Sequence, residues 1–318
     1  MRVFVAGHRG MVGSAVASKL QMDPSVDLVT APRGELDLRI QKEVSDFFKA
    51  QAVDEVIICS AKVGGIYANN TYPAEFIYDN LAIQSNLIHE AFVNGINKLM
   101  FLGSSCIYPK NADQPMLESS LLQGSLESTN EPYAVAKIAG IKMCESYNRQ
   151  YGTDFRSVMP TNLYGPGDNF HPENSHVIAG LMGRFHNAKL EGAENVNIWG
   201  TGSPRREFLY IDDFANAVSF FHSLPSAIYY SYVEPMNSHI NIGTGEDVSI
   251  AELASLVKDV VGFDGSILFD PEKPDGTRRK LLNVDKANAM GWTAETDLVS
   301  GLNSTYAWYL KNISNIRG

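Results

Sequence analysis

Three glycines, Gly7, Gly10 and Gly13, constrain the fold of this chain more than any other feature of its sequence. They follow the apolar run Arg2–Ala6 and precede an amphipathic segment, so they stand between a predicted strand and a predicted helix. Glycine lets the backbone turn tightly and approach a pyrophosphate, whose charge then lies at the helix N-terminus. A GxxGxxG loop in this context predicts the first unit of a dinucleotide-binding α/β fold.

The first half of the chain alternates apolar strand-like runs with longer amphipathic segments. Strands are predicted at Val3–Gly7, Leu28–Ala31, Glu55–Ser60, Lys98–Gly103 and Phe155–Pro160, and helices after Gly10, near Ile40, near Tyr72, at Glu131 and near His176. This alternation predicts an α/β fold with a Rossmann-type doubly wound parallel sheet. We expect a dinucleotide-binding domain over residues 1–165 and a smaller C-terminal substrate-binding lobe over 166–318, with segments near 207–245 returning to the first domain. Later elements are a helix opening at Ile211, a strand at His239–Gly243, and helices from Ser249 and about Thr296.

Composition excludes several classes of protein. The 318 residues carry a net charge of −10, which argues against binding to nucleic acid. No apolar run reaches the length of a membrane span, and no signal peptide precedes the first strand. Three cysteines without a CxxC pattern fit a reducing compartment, so we expect a cytoplasmic protein. No HxH, HExxH or Cys/His cluster predicts a metal site.

The residues after the second predicted strand bear on the type of cofactor. An acid there binds the ribose 2′-hydroxyl of NAD, whereas an arginine accommodates the 2′-phosphate of NADP. Here Arg33 follows the strand Leu28–Ala31, and Arg9 lies inside the glycine loop. Glu35 and Asp37 come close behind and favour NAD. Because two guanidiniums stand where the phosphate would bind, the sequence predicts NADPH/NADP+.

Ser104, Tyr133 and Lys137 form a pattern that suits carbonyl reduction. Tyr133 and Lys137 are four residues apart, on one face of a predicted helix, where the ammonium is expected to lower the pKa of the phenol. Ser104 follows a predicted strand and can hydrogen-bond the same substrate oxygen. These groups would move a proton on or off a carbonyl oxygen while a nicotinamide exchanges hydride.

Cys106 lies two residues after Ser104, and it should emerge beside the same carbonyl. A thiolate there can remove a proton from the carbon next to a ketone, because the carbonyl stabilises the enolate. Epimerisation also needs an acid on the opposite face, and histidine suits that role. The sequence alone leaves the candidates open, namely His8, His171, His176 and His186.

Longer motifs extend along the whole chain. They are Gly7–Gly13, Ala61–Ile66, Asn69–Pro73, Gly103–Pro109, Asn130–Ala134, Pro160–Pro166, Asn174–Ile178 and Lys273–Thr277. With these motifs the chain resembles, from end to end, the GDP-L-fucose synthase family, bifunctional GDP-4-keto-6-deoxy-D-mannose 3,5-epimerase/4-reductases of the extended short-chain dehydrogenase/reductase superfamily.

The resemblance implies a role for each matching residue. Ser104, Tyr133 and Lys137 correspond to the reductase triad, and Cys106 and His176 to the epimerase base and acid. The matching cofactor residues are Gly7, His8, Arg9, Gly10, Met11, Val12, Gly13, Arg33, Leu36, Leu38, Leu102, Gly103, Ser104, Ser105, Lys137, Pro160, Thr161, Asn162, Leu163 and His176. The matching substrate residues are Arg184, Trp199, Arg206, Asp275 and Lys280. The family also implies GDP-4-keto-6-deoxy-D-mannose as substrate and a homodimer built around the long helix Tyr72–Val93.

Other functions compete with this interpretation. A sugar-nucleotide dehydratase would carry an Asp-Glu pair where Ser105-Cys106 stands, and a 4-epimerase that retains NAD would prefer an acid to Arg33. A colitose-type synthase acting on a 3-deoxy GDP-sugar is the nearest alternative. A non-catalytic NADP(H)-binding regulator is another, against which the intact Ser-Tyr-Lys set argues.

Overall fold

The computed structural model describes residues 1–171, 175–273 and 275–315. Asn174 and Pro274, which belong to two of the motifs above, lie outside the described residues. The strands are β1 (Arg2–Ala6), β2 (Asp27–Val29), β3 (Glu55–Ile58), β4 (Lys98–Leu102), β5 (Asp154–Pro160), β6 (Asn162–Tyr164), β7 (Asn195–Trp199), β8 (Arg205–Arg206), β9 (Phe208–Tyr210), β10 (His239–Ile242), β11 (Val248–Ser249), β12 (Ser266–Asp270) and β13 (Arg279–Lys280). The helices are α1 (Met11–Gln21), α2 (Gln41–Gln51), α3 (Ile66–Thr71), α4 (Pro73–Val93), α5 (Glu131–Tyr151), α6 (Val177–Glu191), α7 (Ile211–Ser223), α8 (Ser226–Ser231), α9 (Ile250–Val261), α10 (Asp285–Ala289) and α11 (Leu298–Asn312).

The main sheet has the strand order β2-β1-β3-β4-β5-β10, and each neighbouring pair is parallel. Its strands are almost wholly buried apolar runs, which is typical of a parallel sheet covered on both faces. The order reverses between β1 and β3, and ligands of such sheets bind at the carboxyl ends of the strands near that point. The predicted strand His239–Gly243 is confirmed by the pairing of β10 with β5.

Helices cover both faces of this sheet, which confirms the predicted doubly wound α/β fold. On one face α2, α4 and α5 pack through buried residues such as Val44, Leu87 and Ile141. On the other face α1 and α7 pack through residues such as Val16 and Phe214. Helix α5, which carries part of the site, begins with Pro132 in its first turn and ends at Gly152 in the left-handed region (φ 71°).

A third core lies outside the main sheet. There α6, α9 and α11 pack with the parallel pair β7 and β12 around residues such as Phe185, Leu253 and Leu302. Strands β7 and β12 are not among the predicted strands, because a five-residue strand shows little periodicity in the sequence. In the part of the chain that is described, no helix is long and apolar enough to cross a membrane.

Candidate active site

The glycine-rich loop joins β1 to α1 and closes on itself. A Cβ on Gly7, where φ is 85°, would lie 2.8 Å from the Ser60 backbone, and one on Gly13 would lie 2.1 Å from the Gly7 carbonyl oxygen. Over Gly10, the N-cap of α1, the space is open apart from that same carbonyl at 3.6 Å. No acidic residue stands in the first turn of α1. The loop therefore fits the pyrophosphate of a dinucleotide, with the N–H groups of α1 facing it.

One of the two acids that favour NAD in the sequence, Asp37, is already paired. Arg39 donates to both carboxylate oxygens of Asp37, from Nε at 3.0 Å and from NH2 at 2.7 Å. This hydrogen bonding lowers the pKa of Asp37 to about 2, and the charge of Arg33 contributes in the same direction. The pKa of His8 is lowered by burial and by Arg9, so Arg9 lies close to the loop imidazole. The segment after β2 thus presents Arg33 while Asp37 is committed to Arg39, and Glu35 lies close enough to His8 to oppose this lowering of the imidazole pKa.

Leu36 and Leu38 face the core. Leu36 is buried and Leu38 packs against the same cluster as α2 and α4. Their side chains stabilise the fold, which leaves the backbone of this segment as the part available to a ligand.

Three predicted residues emerge where β4 ends. A Cβ on Gly103 would lie 2.1 Å from the Met159 sulfur, so glycine lets the ends of β4 and β5 approach closely. Ser104 then caps a short 3₁₀ helix, Ser105–Ile107, and its Oγ accepts from the Cys106 backbone N–H at 3.5 Å. The hydroxyl and the thiol are therefore held next to each other by one turn of backbone.

Helix α5 brings Tyr133 and Lys137 to the same place. The buried Lys137 ammonium donates to the Leu102 carbonyl oxygen at 2.8 Å and lies 5.8 Å from the centroid of the Tyr133 ring. The Tyr133 hydroxyl hydrogen-bonds the Ser104 side chain. The structure thus joins Ser104, Tyr133 and Lys137 into one cluster at the carboxyl end of β4.

The prediction that Lys137 lowers the pKa of the Tyr133 phenol is wrong. Burial raises the pKa of Tyr133 far above its ordinary value, and only the Ser104 hydrogen bond opposes this shift. The ammonium lies over the ring face and donates to a carbonyl, and its own pKa falls to about 8 because of burial. Tyr133 is therefore a protonated donor near neutral pH, as reduction of a carbonyl requires.

The Cys106 thiol is buried beside two cations. Burial raises its pKa, whereas the Ser104 hydrogen bond and the charges of Lys280 and Lys137 lower it. Lys280 is thereby placed close to Cys106, and burial lowers the pKa of the Lys280 ammonium. A thiolate formed here would have two ammonium groups to stabilise it.

His176 is the residue that caps α6, and its side chain is 48% exposed. Its Nδ1 lies 3.4 Å from a carboxylate oxygen of Asp168, and this hydrogen bond raises the pKa of the imidazole. No hydrogen bond between described residues joins His176 to the Ser104 cluster. No sequence motif points to Asp168 beyond its place after Gly165-Pro166-Gly167, because its partner His176 is eight residues further along the chain.

The five predicted substrate residues fall into three groups, of which the structure joins two, because the charge of Asp275 acts on Arg206 and opposes the lowering of its pKa by burial. Arg206 on β8 pairs in register with Lys280 on β13. Trp199, 68% exposed at the end of β7, leads into a loop whose Thr201 N–H and hydroxyl donate to Asp275 at 2.9 and 2.7 Å. Arg184, whose pKa is lowered by burial, lies two turns after His176 on the same face of α6.

The remaining predicted cofactor segment, Pro160–Leu163, follows β5. Thr161 Oγ1 and Asn162 Nδ2 both donate to the Glu207 carbonyl oxygen, at 3.3 and 2.8 Å. The Glu207 side chain, fully buried, accepts from the backbone of Gly245 and Leu282. Glu207 therefore links the segment after β5 to the backbone at Gly245 and Leu282, a role that no sequence motif indicated. Across the described residues, no His, Cys, Asp or Glu groups are arranged to hold a metal ion.

Known proteins similar to this chain belong to the family that the sequence motifs indicate. The model of the NAD dependent epimerase/dehydratase family matches residues 3–243. The GDP-L-fucose synthase of Escherichia coli (strain K12) is 58% identical over 317 residues, covering 100% of this chain and 99% of that protein. GDP-L-fucose synthase 1 of Arabidopsis thaliana is 57% identical over 314 residues, covering 99% and 94%. A GDP-L-colitose synthase of Yersinia pseudotuberculosis is 35% identical over 316 residues, covering 99% and 100%.

Solved structures share the whole fold. A GDP-6-OMe-4-keto-L-xylo-heptose reductase from Campylobacter jejuni superposes with a TM-score of 0.91 at 38% identity, covering 98% of each chain. A GDP-L-fucose synthetase from Naegleria fowleri bound to NADP superposes with a TM-score of 0.87 at 26% identity, covering 100% of this chain and 96% of that one.

Proposed function

Because this chain belongs to the NAD dependent epimerase/dehydratase family, we propose that it carries out the reaction of GDP-L-fucose synthases. It epimerises GDP-4-keto-6-deoxy-D-mannose at C3 and C5 and reduces C4 to give GDP-L-fucose. The full-length likeness to the Escherichia coli and Arabidopsis thaliana enzymes carries this proposal. The thiol of Cys106 beside the hydroxyls of Ser104 and Tyr133 supports it, since the cluster holds groups for both reactions.

One pocket serves both reactions because each builds negative charge on the same 4-oxygen. Ser104 and Tyr133 donate hydrogen bonds to that oxygen. The polarised carbonyl acidifies the hydrogens on C3 and C5, Cys106 as thiolate removes them, and His176 returns a proton to the other face. Tyr133 then gives its proton to the 4-oxygen during reduction, and Lys137 holds the cofactor ribose.

The cofactor is NADPH, which supplies the hydride when bound. Gly7–Gly13 hold its pyrophosphate, Arg9 and Arg33 its 2′-phosphate, and the segments after β4 and β5 form the nicotinamide side. The NADP-bound relative and the pairing of Asp37 with Arg39 support this choice. Arg184, Trp199, Arg206, Asp275 and Lys280 bind the GDP-sugar, the arginines at its pyrophosphate and Trp199 as a stacking face.

Replacing Arg33 with alanine should weaken binding of NADP+ far more than binding of NAD+. A charge-assisted contact to the phosphate contributes about 1.5–3 kcal/mol, so the preference for NADP+ should fall roughly 10- to 100-fold. Calorimetric titration of each nucleotide measures this ratio. Arg2→Ala, at the amino end of β1 and so at the opposite end of that strand from the glycine loop, is the matched control and should leave the ratio unchanged. An unchanged ratio in Arg33→Ala would assign the phosphate to other residues.

Two alternatives differ in substrate or in activity. Relatives named GDP-L-fucose synthase reach 58% identity, against 35% for the colitose synthase, which favours the fucose reaction. A 3-deoxy sugar also has no stereocentre at C3, so it would need inversion at C5 alone. A non-catalytic regulator would not need the Ser104, Tyr133 and Lys137 cluster that this chain retains.

The test is turnover of GDP-4-keto-6-deoxy-D-mannose with NADPH and, in parallel, NADH. GDP-L-fucose as product, with a strong preference for NADPH, is the expected result. A 6-deoxy product with unchanged C3 and C5 would instead make the protein a simple 4-reductase, as the Campylobacter jejuni relative is named.

Three further features belong to this proposal. Residues 1–165 form the NADP(H)-binding domain, and residues 166–318 form mainly the GDP-sugar lobe, with segments near 207–245 returning to the first domain. This division is supported by α7, which packs on the main sheet, and by β10, which is a strand of it. The protein acts in the cytoplasm. It forms a homodimer through α4, whose Tyr78 and Val93 are exposed apolar residues.

A further inference from the structure

The carboxylate of Asp168 is buried in the loop between β6 and α6. Its side chain is 4% exposed, and Oδ1 accepts from the Asn169 backbone N–H at 2.7 Å and lies 3.4 Å from His176 Nδ1. The other oxygen, Oδ2, has no hydrogen-bond partner among the described residues. Burying a carboxylate is costly unless it is paired. His176 is the one side chain that pairs with it in the described structure.

The loop that carries Asp168 is fixed from both sides. Gly165 and Gly167 have φ of 150° and 83°, and the Asp168 N–H donates to the Gly165 carbonyl at 3.3 Å. Two residues later, the Phe170 ring stacks on Trp308 of α11 with centroids 6.2 Å apart. The carboxylate is therefore preorganised by the backbone and by the third core, and it does not depend on His176 for its position.

The contact determines which nitrogen of His176 faces outward. A carboxylate accepts hydrogen bonds only, so Nδ1 must carry a proton toward Asp168 and Nε2 remains for another partner. Among the described residues, Asp168 is the charged group that shifts the pKa of the His176 imidazole. The first charged residue along α6 is Arg184, two turns after His176. Glu173 lies outside the described residues. The half-exposed ring leaves Nε2 open to a ligand.

We propose that Asp168 is a positioning residue for epimerisation, whose carboxylate holds the Nδ1–H of His176 and turns Nε2 to the substrate as proton donor. This inference rests on the function proposed above. The Cys106 thiolate takes a proton from the carbon and becomes a thiol, and the imidazolium gives its Nε2 proton to that carbon from the other face. The thiol then loses its proton to solvent and the imidazole regains one. Asp168 remains a carboxylate throughout.

The test compares Asp168→Asn with the wild-type protein, both saturated with NADP+ and given the 4-keto sugar in D₂O. NMR follows inversion at C3 and C5 separately from hydrogen exchange with retention. Because a general acid is worth about 10²–10⁴ in rate, losing its alignment should lower inversion roughly 10- to 100-fold. Exchange through Cys106 should fall less. Asp212→Asn, which removes an exposed acid at the start of α7, is the charge-matched control and should behave as wild type.

The pH profile separates this role from a merely structural one. Asp168 raises the pKa of His176, so the protonated acid persists to higher pH in the wild-type protein. In Asp168→Asn the fall of inversion with rising pH should begin at lower pH. A double-mutant cycle with His176→Gln should also show that Asp168→Asn has little further effect once the imidazole is gone.

The protonation of His176 can also be measured in the wild-type protein, without replacing Asp168. Imidazole ¹⁵N shifts, assigned to His176 by their loss in His176→Gln, should show the neutral ring protonated on Nδ1. A proton on Nε2, an unchanged inversion rate and pH profile in Asp168→Asn, or additive effects in the cycle would each overturn the proposal. If wild-type protein exchanges no hydrogen at C3 or C5, the epimerase function itself fails and this inference with it.

Discussion

Replacing Tyr133 with phenylalanine should lower hydride transfer to the 4-keto sugar by roughly 10²- to 10⁴-fold, the usual worth of a general acid. Burial keeps the phenol protonated near neutral pH, and its hydrogen bond to Ser104 fixes where the proton lies. Phenylalanine retains the ring that packs against Phe76, with centroids 6.4 Å apart, so the helix should remain in place. Single-turnover oxidation of NADPH measures the rate, and fluorescence titration shows whether the cofactor still binds.

Tyr147→Phe provides the matched control for this variant. Tyr147 lies on the same helix, but its hydroxyl contacts His89 Nδ1 at 2.7 Å on the far side from the Ser104 cluster. Its loss should leave hydride transfer unchanged. In Tyr133→Phe, exchange at C3 and C5 should slow less than reduction does, because Ser104 still donates to the 4-oxygen. Equal rates of reduction in wild type and Tyr133→Phe would remove Tyr133 from its role as the acid.

Replacing Cys106 with serine should lower hydrogen exchange at C3 and C5 by roughly 10²- to 10⁴-fold, because a serine hydroxyl is a far weaker acid than a thiol and yields almost no anion. Cofactor binding should persist, and any product should keep the starting configuration at both carbons. In the wild-type protein, burial raises the pKa of Cys106, so the thiolate is the minor form at neutral pH. Exchange should therefore rise with pH through the neutral range, whereas inversion should fall again once protonated His176 is lost.

Cys144→Ala is the control for thiol removal. Cys144 is fully buried on α5 in the core of the main sheet, away from the Ser104 cluster. Its replacement should cost stability in thermal unfolding but leave the ratio of exchange to reduction unchanged. Should Cys106→Ser exchange both hydrogens at the wild-type rate, another base would have to be sought, and the neighbouring Lys280 would be the first candidate.

Local chemistry explains what could be predicted from the sequence. The glycine loop predicts its own place between β1 and α1, because Gly7 and Gly13 are needed wherever the backbone closes on itself. Tyr133 and Lys137 predict a shared helix face, because four residues make about one turn. Both features depend on residues that are neighbours along the chain.

The features that could not be predicted from the sequence depend mostly on contacts between distant segments. The direction of the pKa shift of Tyr133 depends first on burial beneath other elements, and the expected lowering by Lys137 is not among its causes. Arg39 is only two residues from Asp37, but the sequence does not show that the two side chains pair. Without that pairing, the presence of Asp37 favours NAD. Glu207 joins the end of β5 to Gly245 and Leu282, which no spacing in the sequence brings together.

The most direct test is to run the complete reaction in D₂O with unlabelled NADPH and to determine deuterium content and configuration of the product. If one chain epimerises and then reduces, the product should be GDP-L-fucose with deuterium at both C3 and C5 and hydrogen at C4. A reduced 6-deoxy sugar without deuterium at either carbon would contradict the central claim, because Cys106 and His176 would then take no part in the chemistry.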